Sequence, residues 1–197
     1  MIQGIGFDSG KFGYLKEGPR VNGKRTQEKV YKLWNDVFQR CYNSNSHKTK
    51  PTYAGCSVNS DWWDYQDFAK FYHEDIYRQE GWQLDKDLIT KGNKEYGPAT
   101  CAFIPRTINN FVLYSKERRG DCPKGVTYNK PYKKYNVQGN NEFGEKILNI
   151  YVDDPYEGFL IFKQFKEDTA KKMAQLYDGK VDPRVIKSLL SFEVDYE

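Results

Sequence analysis

Residues 84–110 read LDKDLITKGNKEYGPATCAFIPRTINN. Asp85 and Asp87 flank Lys86 at the start of this stretch, and Asn109 and Asn110 close it. Carboxylate and amide oxygens are the hard donors that Mg2+ and Mn2+ take. Such a cation can stabilise the leaving oxygen of a phosphodiester, provided that a base activates water and a further donor orients the phosphate. In a regular strand, residues two apart share a face and immediate neighbours oppose one another; any distortion changes which of the two aspartates reaches a given site. A lysine is a poor base unless strongly desolvated, since its ordinary pKa lies near about 10.4. The two histidines, His47 and His73, fall in other segments.

The segment needs elements that bring its ends together. Leu84–Ile89 reads as a short strand, Lys91-Gly92-Asn93-Lys94 as a turn, and Ala102-Phe103-Ile104 as a second strand stopped by Pro105. A third helix of the chain begins near Thr107, completing a ββα order. Upstream, Val30, Leu33, Trp34, Val37, Phe38 and Cys41 recur at helical spacing, which predicts a helix over about 27–42 with Thr26 as N-cap. Residues before it read as irregular, and 44–60 as a loop with a short strand at CSV. A second helix is expected from Ser60 or Asp61, with Trp62, Tyr65, Phe68, Ala69, Tyr72 and Ile76 on its core side.

From Gly120 the pattern changes. GVTYN, KYNVQG and EKILNIYV are strand-like runs separated by KPYKK and NNEFG turns. Asp154-Pro155 supplies an N-cap and first-turn proline for a long helix to Tyr177, burying Phe159, Phe162, Ala170, Met173, Ala174 and Tyr177. Asp182-Pro183 starts a short last helix carrying Val185, Ile186, Leu189 and Leu190. The expected fold class is α+β in two domains. Residues 1–118 hold the helices and the ββα unit; 119–197 hold a three-stranded antiparallel sheet packed on a long helix.

Composition narrows the function classes. Aromatic residues make up 16% of the 197 residues, too many for a disordered chain despite a mean hydropathy of −0.87. No run is long enough to span a bilayer and the first residues lack the apolar core of a signal peptide, so the reading is a soluble intracellular protein without a membrane partner. Four cysteines without a CxxC pair argue against structural zinc; Cys41, Cys56 and Cys101 read as buried thiols. The net charge of +4 is unevenly spread. Lys116, Arg118, Arg119, Lys124, Lys130, Lys133 and Lys134 face only Glu117 and Asp121 in one window, and Arg20–Lys32 forms a second basic stretch. Localised cation clusters are the footprint of a polyanion binder.

On these residues the chain resembles two modules of one family. LDKD, the GNKEYGP turn, C-x-F-x-P and the terminal INN resemble the HNH motif of phage-encoded, homing-type endonucleases, and LWNDVFQRCYN, YAGCSV and DWWDYQDFAKF resemble the segment before it. GVTYNKPYKKYNVQG and ILNIYVDDPYEGFLIFKQFKE resemble an AP2-like domain, in which a three-stranded sheet backed by one helix lies in the DNA major groove. The resemblance covers about residues 26–180. It implies a protein of the bacterial host's cytoplasm that binds double-stranded DNA and nicks or cleaves it with Mg2+ or Mn2+. Asp85 takes the place of a metal ligand, Asn109 or Asn110 that of the last ligand, and Lys86, beside Asp87, that of the catalytic His; Thr100 stands at the mid-motif Asn. For the sheet it implies DNA contacts from Arg118, Arg119, Lys124, Tyr128, Lys130, Lys133, Lys134, Tyr135, Asn136 and Gln138. Leu148-Asn149-Ile150-Tyr151 replaces the usual Leu-Gly-x-Phe. Two other functions fit the same residues: a DNA-binding protein that has lost the chemistry, and a phage inhibitor whose tyrosine-rich surface grips a host protein.

Overall fold

The computed structural model describes residues 1–113 and 120–196. Its first paired strands lie where an irregular start is expected. β1 (Glu17–Val21) and β2 (Lys24–Gln27) pair antiparallel around Asn22-Gly23, at φ 50° and 76°. Positive φ at both turn positions is what a type I′ hairpin turn demands. Thr26 therefore caps no helix; its hydroxyl donates to the Pro19 carbonyl at 2.7 Å. Helix α1 (Lys29–Tyr42) follows Glu28 without a side-chain cap.

Asn43 ends α1 and at once caps α2 (Ser44–Thr49), accepting from the Asn45 and Ser46 amides. The loop expected over 44–60 thus carries a helix and the single turns Pro51–Tyr53 and Ser60–Trp62, besides strand β3 (Ser57–Val58). Helix α3 (Tyr65–Glu74) starts later than expected because Asp64 is its cap. Ile76 lies beyond its end and is 86% exposed, not part of the core face. β4 (Gln83–Asp85), β5 (Glu95–Tyr96), β6 (Ala102–Ile104) and α4 (Arg106–Val112) keep the expected strand–turn–strand–helix order. β5 is additional and pairs in parallel with β3.

By its contacts the chain divides into two compact units, Met1–Arg78 with Leu84–Ala102, and Gln79–Gln83 with Phe103–Glu197. In the first, α1 and α3 bury an aromatic core of Trp34, Phe38, Trp62, Tyr65 and Phe68. Trp34 and Phe38 rings lie 4.9 Å apart, Trp62 and Phe68 5.0 Å, edge to face. Two of the polar atoms brought in with these rings are satisfied: Trp34 Nε1 donates to the Trp62 carbonyl at 2.7 Å and the Tyr65 hydroxyl to that of Leu15 at 2.7 Å. Cys41, Cys56 and Cys101 are buried thiols in no disulfide, and burial pushes Cys41 and Cys101 up to about 12.

The second unit contains the antiparallel sheet β7 (Val126–Asn129), β8 (Lys134–Asn140) and β9 (Lys146–Val152), in that spatial order. Helix α5 (Pro155–Tyr177) is capped by Asp154, and α6 (Pro183–Leu190) by Asp182. Val126, Val137 and Val152 from the sheet meet Phe159 and Phe162 from α5, with Val194 closing the cluster. Tyr177, expected inside, is only half-buried, as is Ile186, and Leu190 is exposed. No helix among the described residues is long and apolar enough to cross a membrane.

Candidate nucleic-acid interface

Sheet parity decides which side chains face outward. Val126, Val137 and Ile150 are cross-strand partners, as are Tyr128, Tyr135 and Val152. These rows share the α5 side, and Tyr135 packs against the core cluster there. Tyr128 lies beside it, ring centroids 5.2 Å apart. The opposite face carries Thr127, Asn136 and Tyr151 in one row and Gln138 and Asn149 in the next.

Amides dominate that outer face and hold one another. Asn136 Nδ2 donates to Asn149 Oδ1 at 3.0 Å and to the Ile150 carbonyl at 3.1 Å. Gln138 Nε2 donates to Asn149 Oδ1 at 3.3 Å, and Lys146 Nζ to Gln138 Oε1 at 3.0 Å. Tyr132 in the β7–β8 turn lies beside Tyr151, ring centroids 5.2 Å apart and tilted by 54°, the two residues 67% and 43% exposed.

Lysines rim the face. Lys130 and Lys133 are exposed in the turn with no acidic partner among the described residues. Lys133 holds φ 51°, a left-handed conformation that points the turn back into β8. Lys134 is half-buried, 3.2 Å from Asp153, and Lys124 lies 4.0 Å from Asp195. Arg118 and Arg119 fall outside the described residues. Lys146, Tyr132, Asn149 and Tyr151 belong to the face although sequence reasoning did not select them. The alternation Ile147, Asn149, Tyr151 against Leu148, Ile150, Val152 carries that signal.

Residues 85–87 stand in the first unit. Asp85 ends β4: its Oδ1 accepts the Asp87 amide at 3.0 Å and the Leu88 amide at 2.8 Å, turning the chain. The strand expected to reach Ile89 therefore stops at Asp85. Burial raises the Asp85 carboxyl above its ordinary 3.8, the two amides acting against this. Lys86 is buried, and its ammonium donates to Asp87 Oδ1 and, at 3.1 Å, to the Asn93 carbonyl, 5.7 Å from the Tyr96 ring. Asn93 Nδ2 returns a bond to the Lys86 carbonyl at 2.8 Å and one to that of Glu95 at 2.7 Å. Lys86 thus fastens the 86–95 loop as a donor, where a general base must accept a proton.

A divalent cation takes about six oxygens. Within the first unit this segment offers Asp85 Oδ2, while Asp87 is turned to Lys86; among the described residues no group of three or more His, Cys, Asp or Glu side chains is placed to hold a metal ion. Asn109 and Asn110 belong to the second unit, where Asn109 Nδ2 donates to Gln83 Oε1. Thr100, at the mid-motif position, donates to the Glu95 carbonyl at 2.8 Å.

The Asp85 shift makes a pH prediction. A carboxyl raised in the folded state contributes stability below its unfolded value and loses it as pH rises through the folded value. Asp85→Asn keeps an acceptor for both amides and removes that loss. Thermal melting of both proteins should coincide near pH 3 and diverge above it, with the variant more stable at pH 7.

Comparison with protein-family models, with curated proteins and with solved structures gives no match.

Proposed function

We propose that this chain binds duplex DNA by laying the outer face of β7–β9 in the major groove, and that its HNH-like segment is a scaffold whose base position is occupied by a structural lysine. The carrying observation is the outer face itself: a row of amides flanked by exposed tyrosines and by Lys130 and Lys133, which have no acidic partner among the described residues. The major groove admits a β-ribbon and presents donors and acceptors that amides can read, while lysines meet the phosphates. Three antiparallel strands followed by one long helix also agree with the AP2-like resemblance, which itself implies a phage-encoded protein working in the bacterial cytoplasm.

Anisotropy with labelled duplex across about 50–200 mM salt tests the reading. Affinity should fall steeply with salt. The double variant Lys130→Ala/Lys133→Ala should bind several-fold more weakly and reduce the slope of log K against log salt by about 2, roughly one per lysine. Absence of binding at the lowest salt would sink the proposal. Its scaffold part would fall separately if supercoiled plasmid were nicked in Mg2+ or Mn2+ by the wild type and not by Asp85→Ala.

A further inference from the structure

The outer face carries a directional chain of hydrogen bonds whose two ends cannot reverse. At one end, Lys146 Nζ can only donate, so Gln138 must present Oε1 to it and Nε2 to Asn149. At the other end, the Ile150 carbonyl can only accept, so Asn136 must present Nδ2 on the side where it also meets Asn149. Both ends therefore require the oxygen of Asn149 to face inward. Its Oδ1 receives two donors, and its Nδ2 is left on the exposed side with no protein acceptor among the described residues.

An asparagine that keeps both amide atoms free pairs with adenine through N6 and N7, accepting from one and donating to the other. Asn149 has spent its acceptor. What remains is a donor group, and the base edge with two adjacent major-groove acceptors is guanine, through N7 and O6. Resting on the DNA-binding reading above, we propose that Asn149 is a specificity-determining residue that selects guanine and discriminates against adenine, and that Lys146, Gln138 and Asn136 hold it in that orientation.

The test is selection from a random duplex pool by the full chain, followed by binding to the selected site. Wild type should enrich guanine at one position. Asn149→Asp, which offers only acceptors, should lose that guanine and favour cytosine there, whose N4 amino group donates; Asn149→Ala should lose the guanine without gaining cytosine. A measurement on unaltered protein guards against a misfolded variant: 7-deazaguanine at the selected position, lacking N7, should weaken wild-type binding about tenfold. Identical enrichment by wild type and Asn149→Asp, enrichment of adenine at the Asn149-dependent position, or indifference to 7-deazaguanine would each overturn the inference. Failure of wild type to retain any duplex would instead remove the DNA-binding reading beneath it.

Discussion

Replacing Gly125 by alanine is expected to cost the second unit about 2–5 kcal/mol. Gly125 sits at φ 76°, and a β-carbon placed there would fall 2.0 Å from Cγ of Phe162. That ring is buried and packed with the sheet valines and Phe159, so moving it disturbs the cluster. Two effects add: the left-handed backbone, at about 1–2 kcal/mol, and an overlap that must displace a core aromatic. Gly144→Ala separates them. Gly144 has φ 86° but nothing within 4 Å of its would-be β-carbon, so it should lose only the backbone share. Against a total stability of about 5–15 kcal/mol, the Gly125 variant should keep a much smaller margin and open far more often than wild type. Hydrogen exchange in β7–β9, compared with exchange in α1, reads this; equal protection in the two glycine variants would refute it.

The second large effect is at Gln66. Its side chain is wholly buried, and both its amide atoms are used twice. Oε1 accepts from the Phe12 amide at 3.3 Å and the Tyr14 amide at 3.0 Å, while Nε2 donates to Asp8 Oδ1 at 2.7 Å and the Tyr14 carbonyl at 3.0 Å. One side chain thus holds the segment 8–14 on α3. Gln66→Leu keeps the volume and strands the Phe12 amide and both backbone groups of Tyr14, while Asp8 keeps the Gly10 amide at 3.0 Å and Lys16 at 2.9 Å; the cost is about 2–4 kcal/mol since part of that backbone can reach water. Gln66→Glu should be worse at neutral pH, because it places a carboxylate against Asp8. Urea unfolding gives the ranking, and limited proteolysis should cut first within residues 8–16 in both variants. A Leu variant as stable as wild type would show that the segment is held by other contacts.

Much of the architecture was legible because strong local signals agreed with burial. The 3.6-residue spacing in α1, the Asp154-Pro155 start of α5 and the alternation in β7–β9 each specify one element without help from distant residues. What was missed had its signal in parity or in polar turns. Asn22-Gly23 is a strong hairpin turn, but the strands beside it, EGPRV and KRTQ, carry no apolar alternation to draw notice. Tyr128 and Tyr135 were selected by residue type, although each is two positions from a core valine and so shares its face. Asn149 and Tyr151 are offset by one from that row and lie outside. At 85–87 the sequence identifies the residues but not their bonding: that Asp85 caps a turn and Lys86 is tied to Asn93 depends on a loop returning seven residues later.

β9 has a further consequence. Among the described residues it is the edge of its sheet, seven residues long and paired only with β8. Its free rim of amides and carbonyls is a template for a strand from another molecule, and Ile147, Leu148, Ile150 and Val152 would give such a pairing apolar grip. Charge at the two ends, Lys146 and Asp153, is what opposes this, acting as gatekeepers in the sense familiar from aggregation-prone strands. Solubility at high concentration therefore depends on two surface residues that contribute little to the fold.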